Sequence, residues 1–503
     1  MSIRIYSNFI ELVKELYDLR KISDLLDWDE KTYMPTGAVK DRACESSTLS
    51  AVLHEKLISK AMGRYLRELN KGKVKEKLTR KQKAIVREIA RLYERETKIP
   101  IKLVKEIARV KSLATEAWVR AKKNADFNIF KSLLEKMINL KKEVAESIGY
   151  EDKPYDALLD EYEPYTKVKD ISPVFSELRK PIVSVVKSIK DSGREIDDKI
   201  LTQKFDLEKQ KEFGLQIIKD MGFDLERGRL DVSAHPFTSG SYRDVRLTTR
   251  YKENDLRTSL FAMIHEAGHG LYEQGYREEH YRTPLADFIS LGYHESQSRL
   301  WENMVGRSLS FWKYYYPKLQ ELFSVQLKNY SLEDFYKAIN VVRPSFIRVE
   351  ADEVTYNLHI LLRYELEIDI FDDKVSAKEL PQLWNEKMED YLGIVPENDA
   401  VGVLQDVHWS QGYFGYFPTY SLGNLYAAQL LNAAKKTIPD FEIAISEGKL
   451  SVLKQWLNCN VHQYGKLYSA KELTKKVTGE MLNPNYFLEY IKTKFGPLYG
   501  IEL

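Results

Sequence analysis

The sequence predicts a mainly α-helical fold with one small β element, and two observations carry that expectation. Amphipathic runs with apolar residues at three- and four-residue spacing recur along the chain, and a single short stretch alternates with a period of two. The clearest helical run is 78–98, LTRKQKAIVREIARLYERETK, where the apolar stripe is set among charges of both signs. Similar runs occur at 101–122, 130–148, 174–192 and 317–327, the last with Pro317 where a helix can start. The exception is 231–251, DVSAHPFTSGSYRDVRLTTRY. There Val245, Leu247 and Thr249 alternate with polar and charged residues beside a Gly/Ser turn, which predicts a small β-hairpin. Its edge strand is suited to pairing with a peptide in extended form.

The remaining bulk properties mostly exclude. A chain of 503 residues, 43% hydrophobic and 12% aromatic, can bury a sizeable core. Its 77 basic and 75 acidic residues leave a net charge of +2, with no basic patch to suggest nucleic acid or an anionic membrane. Residues 407–434 lack any charge, but Pro418, three glycines and many polar groups argue against a membrane span. Two distant cysteines, Cys44 and Cys459, form no disulfide framework, and residues 1–26 lack the apolar core of a signal peptide. A cytoplasmic protein is the expectation. Abundant Lys and Glu with scarce cysteine point to a heat-adapted source.

One segment carries chemistry. In DLRTSLFAMIHEAGHGLYEQG, Asp255 can cap a helix whose apolar face is Leu256, Leu260, Met263, Ile264 and Leu271. His265 and His269 then lie one turn apart and can grip a single ion, while Glu266 is placed to hold a metal-bound water. A second helical segment, 292–306, brings Glu295 after 26 residues (295 − 269). That completes a His₂Glu set with an open position, the catalytic zinc pattern. Glu266 and His269 also spell the Glu-x-x-His unit of helical di-iron proteins, but none of the other histidines has Glu three positions earlier, so that reading falls.

With these residues in place, the chain resembles the carboxypeptidase Taq family of metallopeptidases over nearly its whole length. The likeness rests on six motifs, none with a departure. They are His235-Pro236-Phe237; Asp244-x-Arg246-x-Thr248; His265-Glu266-x-x-His269; His294-Glu295-Ser296-Gln297; Ile347-Arg348-x-x-Ala351-Asp352; and Gly402-x-x-Gln405-Asp406-x-His408-Trp409. The resemblance implies a bilobed, saddle-like helical fold with a deep groove, related to neurolysin and angiotensin-converting enzyme. It also implies a homodimer that removes single residues from peptide C-termini, using one zinc ion per chain, with cobalt (Co2+) an effective substitute.

Further roles follow from the chemistry and the resemblance together. Glu266 would act as base and then acid. His408 and Tyr420, twelve apart (420 − 408) as in the neurolysin-like relatives, would donate to the oxyanion, with Tyr413 and Tyr416 nearby. A free α-carboxylate suits arginine: Arg348 first, Arg246 second, unless each simply pairs with Asp352 or Asp244. His235 would contact the substrate backbone. Asp352, Glu302 and Asp287 are candidates to orient the metal histidines. Glycines 412, 415 and 423 suggest a loop that can move or approach substrate closely.

One catalytic unit over 1–503 is expected, with residues 1–200 as a helical lid or groove wall and 201–503 carrying the hairpin, metal helices and catalytic loop. The competing readings are a dipeptidyl carboxypeptidase or endo-oligopeptidase of the same chemistry, and a catalytically silent peptide-binding scaffold. The intact metal residues and base argue against the last.

Overall fold

The computed structural model describes residues 2–502; Met1 and Leu503, the outermost residues of the expected unit, lie outside it. Ten helices precede the sheet: α1 (Ser2–Thr32), α2 (Val39–Leu57), α3 (Lys60–Leu69), α4 (Gly72–Glu76), α5 (Arg80–Lys98), α6 (Ile101–Asn124), α7 (Asn128–Ile148), α8 (Pro154–Tyr162), α9 (Val168–Asp191) and α10 (Leu207–Asp220). Three strands follow, β1 (Gly228–Val232), β2 (Thr238–Ser241) and β3 (Asp244–Thr249). Then come α11 (Leu256–Gln274), α12 (Leu291–Arg299), a π-helical turn (Leu300–Val305), α13 (Leu309–Leu322), α14 (Ser324–Leu327), α15 (Leu332–Ala338), α16 (Tyr356–Phe371), α17 (Leu380–Leu392) and α18 (Pro418–Thr437). Four further helices, α19 (Phe441–Ser446), α20 (Ser451–Asn460), α21 (Ala470–Thr478) and α22 (Asn485–Tyr499), complete the described chain. The fold is mainly helical with one small sheet, as the periodicity predicts. No described helix is long and apolar enough to cross a membrane.

The helix boundaries follow from local chemistry. Thr79 and Gln82 exchange side-chain and backbone hydrogen bonds, which starts α5 at Arg80 and leaves Leu78 outside. Pro317 does not open a helix; it lies inside α13. The start signal is Ser308, whose hydroxyl accepts from the Phe311 amide at 3.2 Å. The buried Phe311, Trp312, Tyr315, Tyr316 and Leu319 hold the helix together on both sides of the proline.

The strand segment is larger than a hairpin. β2 and β3 pair antiparallel as expected, but β1 adds a third strand parallel to β3, in the order β1-β3-β2. β1 escapes the sequence pattern because its alternation is short and inverted: the charged Asp231 is buried, paired with Arg229 at 2.6 Å, while Val232 is exposed. The turn into β3 requires Gly240: its φ is +108°, and a Cβ there would meet the Asp244 carbonyl at 1.8 Å.

The principal core takes in side chains from α6 onward, including β3, α11, α12, α16 and α18. A second cluster is built from α1, α3 and α5, around Phe9, Val13, Met62 and Ile89. α1 reaches from this satellite to the sheet. Lys21 Nζ donates to the Gly240 carbonyl at 2.9 Å, and Tyr33 donates to Asp231 at 2.6 Å.

α12 is held between two helices by glycine. A Cβ on Gly268 of α11 would lie 2.7 Å from the Gln297 carbonyl and Ser298 Cα. A Cβ on Gly423 of α18 would lie 2.6 Å from Glu295 Cγ. Gly423 is thus helical and packs behind Glu295, and does not belong to a mobile loop. Only Gly412 and Gly415 of the three glycines take positive φ, at +74° and +88°.

Candidate active site

Asp255 caps α11 through the Arg257 amide at 3.1 Å, and His265 and His269 come off that helix one turn apart. α12 places Glu295 opposite. Its Oε2 lies 3.7 Å from His265 Nε2 and 3.6 Å from His269 Nε2. Among the described residues these three form the one group whose donor atoms all lie within 4.8 Å of each other. A tetrahedral zinc about 2.0–2.1 Å from each donor separates its ligand atoms by roughly 3.3–3.4 Å, so the two Glu295–histidine separations are within a few tenths of an ångström of that spacing.

The protonation states suit an ion. Burial would push the Glu295 carboxyl up, but Arg299, then His265 and His269, outweigh burial and hold it well below the usual range. His269 is pushed down to about 3, chiefly by burial and then by His294, so it is neutral. Burial also lowers His265, but Glu295 and Glu302 outweigh it. Of the three candidate orienters, Glu302 alone touches a metal histidine: its Oε2 lies 2.8 Å from His265 Nδ1, fixing Nε2 as the ligand atom. Asp352 instead caps the turn before α16, accepting from the Val354 and Thr355 amides, and Asp287 pairs with Lys466 at 2.9 Å. His294 stacks on His269 with ring centres 4.1 Å apart.

Glu266 is buried, and burial pushes its carboxyl up. Thr238 of β2 donates to its Oε2 at 2.6 Å, so the sheet orients this carboxylate.

Across the site, Tyr420 lies three residues before Gly423 on α18, on the face that packs behind Glu295. Its hydroxyl is 3.5 Å from His408 Nε2. Burial holds the Tyr420 phenol well above its ordinary value, and burial lowers His408 to about 4, so both are neutral donors. Tyr416 lies between them, 5.3 Å from the His408 ring and 5.4 Å from that of Tyr420. Tyr413 is turned toward α6, where Lys111 Nζ donates to its hydroxyl at 3.2 Å.

Arg348 does not pair with Asp352. Its Nε and Nη2 both donate to Asp406 Oδ1, at 3.1 and 2.8 Å, and its Nη1 donates to Tyr356 at 3.0 Å. Arg363 takes the other oxygen of Asp406 at 2.7 Å, and the Arg348 guanidinium lies 4.8 Å from the Tyr420 ring. Burial would raise Asp406, but these two arginines outweigh it and hold it charged. Arg246 pairs with Asp244 at 2.9 and 3.0 Å and lies over the Trp28 ring of α1. His235 is exposed in the β1–β2 loop.

Thr238, Arg299, Tyr356 and Arg363 join the site without any role assigned to them from sequence. Arg299 had a readable signal, one turn beyond Glu295; Thr238, 28 residues before Glu266, had none.

A sequence profile of the family described as "Carboxypeptidase Taq (M32) metallopeptidase" matches residues 8–495. Carboxypeptidase 1 of Bacillus subtilis (strain 168) is 43% identical over 99% of this chain and 100% of its own. Thermostable carboxypeptidase 1 of Thermus thermophilus is 40% identical over 98% and 99%. Among solved structures, an M32 carboxypeptidase from Deinococcus radiodurans R1 superposes with a TM-score of 0.96 at 35% identity, covering 99% of this chain and 100% of that one. A Pyrococcus furiosus carboxypeptidase gives 0.94 at 40% identity, covering 98% and 99%.

Proposed function

The chain belongs to the carboxypeptidase Taq (M32) metallopeptidase family, whose members are peptide hydrolases, and from that premise we propose that it removes single residues from free peptide C-termini using zinc. The observation that carries this reading is the convergence of His265 Nε2, His269 Nε2 and Glu295 Oε2, with the buried Glu266 beside them on α11. Zinc at these three atoms would polarise the scissile carbonyl and lower the pKa of a water; Co2+ suits the same donors.

The chain's own residues then divide the work. Glu266, held by Thr238, takes a proton from the attacking water at its carboxylate and returns it to the leaving amine. Burial raises its pKa toward the range such an exchange requires. Tyr420 donates a hydrogen bond from its hydroxyl to the developing oxyanion, and the neutral His408 is its partner in that task. Arg348 recognises the substrate carboxylate, with Asp406 and Tyr356 fixing the plane of its guanidinium. β2, Arg246, Tyr413 and His235 line the approach of the peptide backbone, which accounts for a broad tolerance of side chains. α1–α9 serve as lid and groove wall, within a single catalytic unit that pairs with a second copy and works in the cytoplasm.

The deciding test is mass spectrometry of one peptide, with free or amidated C-terminus, incubated with zinc-loaded or chelator-treated protein. Single-residue losses restricted to the free carboxylate, and abolished by chelation, are expected. Dipeptide losses or internal cuts would move the chain to the dipeptidyl or endo-acting reading. No cleavage would favour the silent scaffold.

A further inference from the structure

We propose that Arg299 is the positioning residue of the metal site, a single guanidinium that fixes both how Glu295 binds and how His265 is aimed. The inference rests on the reading that His265, His269 and Glu295 hold a divalent ion.

A carboxylate can bind a metal through one oxygen or two, and on its own Glu295 has no reason to choose. Arg299, one turn further along α12, decides the matter: its Nε donates to Glu295 Oε1 at 2.6 Å. That oxygen is engaged, and Oε2 is the one facing both histidines. Ser298 Oγ donates to Oε2 from the side at 3.2 Å.

The same guanidinium has a second arm. Arg299 Nη1 reaches Glu302 Oε2 at 3.2 Å, the very oxygen that lies 2.8 Å from His265 Nδ1. Two of the three ligands are therefore referenced to one rigid plane. Glu302 lies three residues on, within reach along the helix, and sits in a π turn at Leu300–Val305, a distortion that is frequent at functional sites. Arg307, at 3.4 Å, holds the other oxygen of Glu302. The Tyr356 ring, 4.7 Å from Arg299 Cζ, fixes the plane from one face.

The arrangement calls for arginine and not merely for a positive charge. Its N–H groups lie in one plane at fixed spacing, so one side chain can serve two carboxylates with set directions. Lysine would keep the charge and lose the fork. A purely structural ion pair would survive that exchange, whereas a positioning residue would not.

The experiment uses the full-length chain with Arg299→Lys and Arg299→Gln. Zinc affinity is read by competition with a chromogenic chelator, thermal unfolding of the metal-free proteins is followed in parallel, and the visible spectrum of Co2+-loaded protein reports ligand geometry. We expect Arg299→Lys to bind zinc about 10- to 100-fold more weakly than the parent, the range in which partners of metal ligands act. Its Co2+ absorption should weaken as Glu295 swings to two-oxygen binding and coordination expands. Zinc affinity within about twofold of the parent, with an unchanged Co2+ spectrum, would overturn the proposal.

If neither Arg299 variant folds, Glu302→Gln loosens the second arm and the contact with His265 together but leaves Arg299 on Glu295 Oε1. A parent-like Co2+ spectrum beside an about tenfold loss in zinc affinity supports the proposal, and an expanded Co2+ coordination or parent zinc affinity overturns it. A parent protein that takes up no zinc would instead bring down the metal-site reading itself.

Discussion

Replacing Gly423 by alanine should injure the site without touching any reacting group. The Cβ added at this position would lie 2.6 Å from Glu295 Cγ, 2.7 Å from its Cβ and 3.3 Å from its carbonyl carbon. Ordinary contact begins at 3.4 Å, so the gap is short by 0.8 Å (3.4 − 2.6). These are the backbone and the first two side-chain carbons of Glu295, which cannot yield by flexing the far end of the side chain. Either α18 and α12 spread by that amount or Glu295 changes rotamer and takes Oε2 away from the histidines. A misplacement of about 1 Å costs roughly 100-fold in rate. Stability works in the opposite sense at first, since glycine to alanine inside a helix is worth about 1 kcal/mol. Overpacking returns about 1–3 kcal/mol, so the net stability change is small or modestly unfavourable. The assay is kcat/KM on a peptide with a free C-terminus, beside zinc affinity and the thermal midpoint. An alanine variant that keeps parent activity within about twofold and melts higher would refute the packing argument.

Four further outcomes are expected. Glu266→Gln should lower kcat by about 10²–10⁴-fold with zinc stoichiometry unchanged, as measured by metal analysis of the purified variant. Thr238→Val removes the 2.6 Å hydrogen bond to the base and should cost about 10-fold or more in kcat, read from steady-state kinetics. Tyr420→Phe should reduce kcat by about 10²–10³-fold while sparing KM, if its hydroxyl meets the oxyanion. Glu367 bears on pH: burial, working against hydrogen bonds from Tyr155, Trp409 and the Gly415 amide, raises its carboxyl from 4.5 to about 7. A raised folded pKa gives stability that is fully present below 4.5 and is lost as pH rises through about 7. The loss is (7 − 4.5) × 1.36, about 3 kcal/mol, and Glu367→Gln should flatten this part of a denaturant-midpoint profile.

The parts of the site that are legible in sequence are those whose geometry is local. His265, Glu266 and His269 are fixed relative to each other by helix pitch alone, so their spacing carries their placement. Glu295 is readable because its segment is helical too, and because zinc chemistry demands a third donor of this kind. The helices themselves are readable from their stripes. Their starts are less so, since a capping hydroxyl such as Ser308 competes with a more conspicuous proline nine residues later. β1 is not readable, because its alternation spans only Arg229-Leu230-Asp231-Val232 and the fold buries the charged Asp231 while exposing Val232, the reverse of the apolar-in pattern by which strands are recognised.

What the sequence withholds is the partner of each charged group. Arg348 is offered Asp352 four residues away, yet it takes Asp406, 58 residues further on, and shares it with Arg363. The reason is energetic. A buried guanidinium must be matched by acceptors of fixed direction, and Asp352 is already engaged by the amides of Val354 and Thr355 and by the Thr355 hydroxyl. Satisfying the turn before α16 therefore releases Arg348 to the chain segment that carries His408, and the Gln405 side chain accepts from the Arg348 amide at 2.9 Å to complete the junction. Two distant motifs thus make one structure. The consequence for function is geometric: Arg348, the proposed carboxylate anchor, and His408, a proposed oxyanion donor, stand on a common base, so moving Asp406 moves both. Asp406→Asn keeps the size and hydrogen-bonding shape but leaves two buried arginines with no charge to match them, an imbalance that costs about 3–5 kcal/mol in such pairs. The variant should therefore lose stability and raise KM and lower kcat together, whereas Tyr420→Phe should lower kcat alone. Steady-state kinetics of the two variants at a temperature where both stay folded decides the point. A variant at Asp406 that changes kcat with KM untouched would show that Arg348 is held in place by something other than this pair.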